Sequence, residues 1–130
     1  QHAYVRRQRQ MCIRDSPRKA LPTAKVFSAV KEKNNSGLNL QGSGEKSLNS
    51  WFDWINSMRN DLTASAIDLI PDIRFILDKL ITCDGAKVIR MSGSGATCFA
   101  LFEDFDLLQD AKLKILKECP SFWCESGELI

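Results

Sequence analysis

The chain has 130 residues, enough for one domain with a real core, with 44% hydrophobic and 26% charged residues, as in ordinary globular proteins. A formal charge of +2 does not support nucleic-acid binding, and no apolar run approaches the ~20 residues needed to span a bilayer. Five cysteines without a C-x-x-C pair, beside a single histidine, exclude zinc spacing and fit reduced, buried thiols in a cytoplasmic protein.

Residues 1–16 hold Arg6, Arg7, Arg9 and Arg14 against one acid, Asp15, a net +3 that leaves −1 for the remainder. No helix or strand period runs through them, and they lack the apolar core of a secretory signal. The run Arg7–Ser16 resembles translated adapter sequence at the end of an environmental reading frame. Residues 1–16 are therefore expected to be unstructured and foreign, with the domain occupying residues 17–130.

Pro17–Leu21 reads as the end of a strand or an extended entry. Thr23 can cap a helix over about residues 24–32, with Val26, Phe27 and Val30 near one face. Asn34–Lys46, rich in Asn, Ser and Gly, reads as a long flexible loop. Ser47 is placed to cap a second helix, in which Leu48, Trp51, Phe52, Ile55 and Met58 recur at helical spacing. Trp51 and Trp54 can serve as a ligand platform, but core packing is the favoured role. Asn60-Asp61 breaks the pattern and can cap the next helix, and Pro71 divides the apolar stretch that follows into two helices or opens the second of them. The carboxylates Asp61, Asp68, Asp72 and Asp78 suit caps and exposed faces better than a metal site, and no metal ligand is expected.

Asp84-Gly85 is a turn. Ala86, Val88, Ile89 and Met91 suit a strand, and Cys98–Phe102 is an unbroken apolar run expected to be covered on both faces. Between them, Ser92-Gly93-Ser94-Gly95 allows positive φ and close backbone approach, and its N–H groups can form an anion-binding nest. The turn lacks the Gly-Lys-Ser/Thr of a P-loop and the third glycine of a dinucleotide fingerprint. By pattern alone, a plain strand connection and a ligand-facing loop stay equally open. A last helix begins at Asp104–Asp106 and stops at Pro120, and Phe122-Trp123-Cys124 forms a short final strand. The order is that of an α+β, ferredoxin-like βαββαβ domain with an expanded helical crossover.

The run Met91-Ser-Gly-Ser-Gly-Ala-Thr-Cys-Phe-Ala-Leu-Phe resembles the third motif of the galactokinase/homoserine kinase/mevalonate kinase/phosphomevalonate kinase superfamily. Two further stretches, Pro17-Arg-Lys-Ala-Leu-Pro-Thr-Ala-Lys-Val-Phe and Asn60-Asp-Leu followed by Ala66 and Ile70-Pro-Asp-Ile, narrow the resemblance to the 4-diphosphocytidyl-2-C-methyl-D-erythritol kinase family. The match runs from about Pro17 to Ile130. It implies a C-terminal fragment of a two-domain, ATP-dependent kinase that phosphorylates the 2-hydroxyl of diphosphocytidyl methylerythritol in non-mevalonate isoprenoid synthesis. The family's nucleotide loop, catalytic aspartate and lysine belong to an N-terminal kinase domain, and nothing in residues 1–16 resembles them.

ATP and Mg2+ would then be held mainly by that domain, and the fragment alone is expected to be inactive, with no catalytic residue of its own. The resemblance places Ser92, Gly93, Ser94, Gly95 and Ala96 at the phosphate end of the active site. It places Thr23 and Phe27 on the substrate side, where Phe27 would pack on the cytosine ring. Many members carry proline where this chain has Ala24. On the residues alone, Thr23 can instead be a plain cap and Phe27 a core residue. A stand-alone small-molecule-binding or regulatory module, and a structural domain without a site, remain rival readings.

Overall fold

A computed structural model describes residues 10–31, 37 and 48–129. In chain order the elements are β1 (Gln10–Ser16), α1 (Thr23–Ser28), α2 (Leu48–Ser57), α3 (Thr63–Leu69), α4 (Asp72–Ile81), β2 (Ala86–Met91), β3 (Cys98–Phe102), α5 (Phe105–Glu118) and β4 (Trp123–Leu129). The strands form one sheet in the order β2-β3-β1-β4, every pair antiparallel. That is the ferredoxin-like arrangement expected from the element order. The proposed Asn34–Lys46 loop and the Ser47 cap fall outside the described residues, apart from Gly37.

The first strand departs from expectation. Gln10–Ser16, read from the sequence as unstructured, is an inner strand bonded to β3 on one side and β4 on the other. Pro17–Leu21, read as the end of a strand or an extended entry, follows it without regular structure. Residues 1–9 lie outside the described residues. Strand character was hidden because the alternation is short and its third inward position is charged. Met11 and Ile13 point to the core face, and so does Asp15, at 0% exposure. Cys12 and Arg14 occupy the other face. Two complete ladders outweigh a poor strand composition here.

The two faces of the sheet carry different cores. On one, Met11, Ile13, Ala100, Phe102, Ile89 and Met91 pack with Ile73, Ile76, Leu77 and Leu80 of α4 and Leu108, Ala111 and Ile115 of α5. On the other, Cys12, Val88 and Leu101 pack with Phe52 of α2 and the partly buried Ile55 and Phe99. Pro71 does separate two helices, standing immediately before α4. Asp104 caps α5, its carboxylate accepting from the Leu107 amide at 3.1 Å. All five cysteines are free and buried.

Helix α1 is shorter than expected and begins one residue earlier, at Thr23. Its first turn is closed by the Pro22 carbonyl, which accepts from Lys25 and Val26 at 3.0 and 3.3 Å. Thr23 therefore does not cap it, as the sequence had suggested. Of its apolar residues Val26 is buried, whereas Phe27 is 56% exposed, so the core alternative for Phe27 is not realised.

Candidate functional site

The turn between β2 and β3 is built from within and buttressed from two sides. Inside it, Ser92 N–H donates to Thr97 C=O at 2.8 Å and Gly95 N–H to Ser92 C=O at 3.0 Å. Gly93 and Gly95 both take positive φ, 56° and 90°. Their surroundings differ. A Cβ at Gly93 would meet nothing within 4 Å, so the backbone there is open to an approaching group. A Cβ at Gly95 would lie 3.0 Å from Met91 Sδ and 3.2 Å from Leu21 Cδ2, so that glycine is needed for packing as well as for φ. Among the described residues, the amides of Gly93, Ser94 and Ala96 have no acceptor. Unpaired N–H groups around an open glycine are a donor set for an anion.

The first buttress is α1. Thr23 Oγ1 lies 3.1 Å from Ser94 Oγ, joining the start of α1 to the crown of the turn across 71 residues of sequence. Phe27 stands four residues further along α1, about one turn away and on the same side, with its ring exposed. The structure thus brings Thr23 to the turn residues Ser92–Ala96 and leaves Phe27 as an exposed aromatic on the adjoining helix.

The second buttress, not anticipated from the sequence as part of the site, is Asn60. Its Nδ2 donates to the carbonyls of Met91 and Gly93 at 3.2 and 2.8 Å, and its Oδ1 accepts from the Leu62 amide at 3.0 Å. The sequence suggested Asn60 as a helix cap. It does close the Asx turn before α3, but the residue immediately preceding that helix is Leu62.

Beside the turn, a groove of about 480 Å³ runs over the second face of the sheet, lined by Cys12, Arg14, Ile55, Ser92, Thr97, Phe99 and Leu101. Arg14 was not singled out as a site residue because the segment that carries it had been set apart from the domain. Trp51 and Trp54 meet edge to face, with centroids 5.1 Å apart at 80°. That is packing geometry, with no parallel gap for a third ring.

Cys98, the thiol beside the turn, is not an activated nucleophile. Burial, with the nearby Asp15 carboxyl adding to it, pushes the Cys98 thiol up to about 12, so it stays protonated near neutral pH. Among the described residues no three His, Cys, Asp or Glu side chains come together as a metal site. Asp61 pairs with Arg59, Asp72 with Lys19 and Asp78 with Arg74. Among the described residues no helix is long and apolar enough to cross a membrane.

The family model described as "GHMP kinases C terminal" matches residues 27–121. A curated 4-diphosphocytidyl-2-C-methyl-D-erythritol kinase from Rhizobium etli is 36% identical over 118 residues, covering 88% of this chain and 38% of that protein. The chain thus spans well under half the length of this relative. A solved structure of a 4-(cytidine 5'-diphospho)-2C-methyl-D-erythritol kinase superposes with a TM-score of 0.63 at 22% identity, over 89% of this chain and 42% of that one. A homoserine kinase from Cytophaga hutchinsonii gives the same TM-score, 0.63, at 14% identity, over 95% and 42%. At these identities the two solved structures speak to the fold alone.

Proposed function

The chain belongs to the GHMP kinase C-terminal family, and on that premise we propose that it supplies the substrate-side half of a 4-diphosphocytidyl-2-C-methyl-D-erythritol kinase active site. The observation that carries this reading is the contact between Thr23 and Ser94. It sets the residue matched to the substrate side against the loop matched to the phosphate end, in a chain 36% identical to the Rhizobium etli kinase.

In this reading the turn Ser92, Gly93, Ser94, Gly95 and Ala96 faces the phosphates of ATP, with the N–H groups of Gly93, Ser94 and Ala96 and the serine hydroxyls as donors. Phosphoryl transfer is catalysed mainly by positioning and by stabilising charge, so such donors can contribute without any acid or base of their own. Phe27 offers its exposed ring to the cytosine base. The donor set at the turn is N–H and O–H, which suits phosphate oxygens. Magnesium takes oxygen ligands, and its carboxylates are assigned to the portion of the longer relatives that this chain does not span. By itself the chain is expected to give no turnover with ATP and substrate. Its five free, buried thiols fit a reducing, cytoplasmic setting.

The test is a chimaera in which residues 10–129 replace the matching C-terminal portion of the Rhizobium etli kinase. It should release ADP in the presence of 4-diphosphocytidyl-2-C-methyl-D-erythritol and not in the presence of homoserine. A folded chimaera that uses homoserine, or neither compound, overturns the reading.

A further inference from the structure

Asn60 reaches the glycine turn through two hydrogen bonds and accepts a third from the Leu62 amide, and together they leave its carboxamide no alternative orientation. Flipping the amide would set Oδ1 against two carbonyl oxygens and Nδ2 against an N–H. The donors point at one side of the turn only. In a planar trans peptide the C=O and the following N–H point in opposite directions. Holding the Met91 carbonyl therefore turns the Ser92 amide the other way, where it finds Thr97 C=O at 2.8 Å. Holding the Gly93 carbonyl turns the Ser94 amide the other way, where no acceptor waits among the described residues.

We propose that Asn60 is the positioning residue of the site: by clamping the Met91 and Gly93 carbonyls it fixes the glycine turn so that the Ser94 amide is presented to a phosphate group. The phosphate half of this proposal rests on the kinase reading above; the clamp does not. The open Gly93 would otherwise leave this side of the turn free to sample many conformations, and a donor that must be reoriented on binding costs affinity.

Asn60→Asp separates the clamp from the helix entry. Aspartate keeps an acceptor for the Leu62 amide but loses both donors and sets a carboxylate against two carbonyls. The experiment is amide hydrogen exchange and nitrogen-15 NMR on the 130-residue chain, with and without inorganic tripolyphosphate. In the variant the Ser92 amide should exchange about tenfold faster and the Ser94 resonance should move, while the Ala66 amide inside α3 keeps its protection. Tripolyphosphate should perturb Gly93 and Ser94 in the wild type and bind roughly tenfold or more weakly to the variant, the scale of a lost hydrogen bond to a charged group.

Unchanged Ser92 and Ser94 signals would overturn the clamp, whatever the chain phosphorylates. A wild-type turn that ignores tripolyphosphate while the exchange result holds would overturn the phosphate role and leave the clamp. If Asn60→Asp loosens Ala66 as much as Ser92, Asn60→Ser decides. It is uncharged, keeps an acceptor for Leu62 and cannot reach either carbonyl. Equal loosening in that variant too would make Asn60 a general fold residue and defeat the proposal.

Discussion

Strands β1 and β3 lie side by side at the centre of one sheet, each with a neighbour on both edges, yet they are made of different material. Strand β3 is Cys98-Phe-Ala-Leu-Phe, apolar throughout, with four of its five residues buried. Strand β1 is Gln-Met-Cys-Ile-Arg-Asp-Ser, and it buries a carboxylate. Neither oxygen of Asp15 has a hydrogen-bond partner among the described residues, and its register partners are Cys98 on one side and Cys124 on the other. A thiol is a weak donor and no counter-charge. Topology can place a strand that its own composition would not. The inner position is set by the crossovers on either side of it, and the cost appears as an unsatisfied group in the core.

The largest expected effect tests whether β1 truly belongs to the sheet. A chain starting at Pro17 should lose cooperative thermal unfolding, because without β1 the sheet falls into a β2-β3 hairpin and a lone β4. The sequence alone led to the opposite expectation, that residues up to Ser16 could be removed at no cost. A shortened chain that melts as sharply and as high as the full one would return β1 to the status of an appendage.

The next effect sharpens the contrast between the strands. Burial raises the Asp15 pKa from 3.8 to about 6; the Ser16 amide lowers it slightly without making a well-formed hydrogen bond. Cys83, Cys98, Cys119 and Cys124 are the ionisable groups whose own pKa values register the Asp15 charge, and burial raises each of them, so they are neutral thiols across this range. A folded pKa above the unfolded one means that the native state binds more protons, so stability falls as pH rises. The loss begins near pH 4, is complete just above pH 6 and amounts to about 3 kcal/mol for a shift of roughly two units. Asp15→Asn removes the charge but leaves an unpaired amide. It should raise stability at pH 8 by about 1–3 kcal/mol and flatten the profile between pH 4 and 6. Denaturant melts at both pH values check it; an unaltered slope would mean that Asp15 is not buried as described.

The smallest effect lies in the turn beside the well-made strand β3. Gly95→Ala meets both a φ of 90° and crowding against Met91 and Leu21, and should cost on the order of 1–3 kcal/mol of stability. Gly93→Ala meets only a φ of 56° in open space, and should cost about 1–2 kcal/mol. Denaturant melts of both variants give the order. A reversal would show that the Gly95 side of the turn yields more readily than its neighbours suggest.

Local pattern was enough for the hairpin, because Cys98–Phe102 is continuously apolar and Ser92–Gly95 is all small residues. It was enough for α2 through α5, because their apolar spacing and Pro71 and Pro120 are short-range signals. Local pattern did not join Thr23, Phe27 and the turn into one site; only the resemblance to the kinase family did that. Tertiary structure alone decided three things. It made Gln10–Ser16 an inner strand, since ladder bonds to β3 and β4 come from residues more than 80 positions away. It turned Thr23 from a cap into a partner of Ser94, because Pro22 C=O already closes the first turn of the helix. And it gave Asn60 a second task, because a carboxamide that closes the turn before α3 also sits in space within reach of the carbonyls of a loop 31 and 33 residues away. Local sequence carries the first kind of information through backbone sterics and apolar period. The second kind exists only once distant segments share a surface and their unpaired polar groups must find one another.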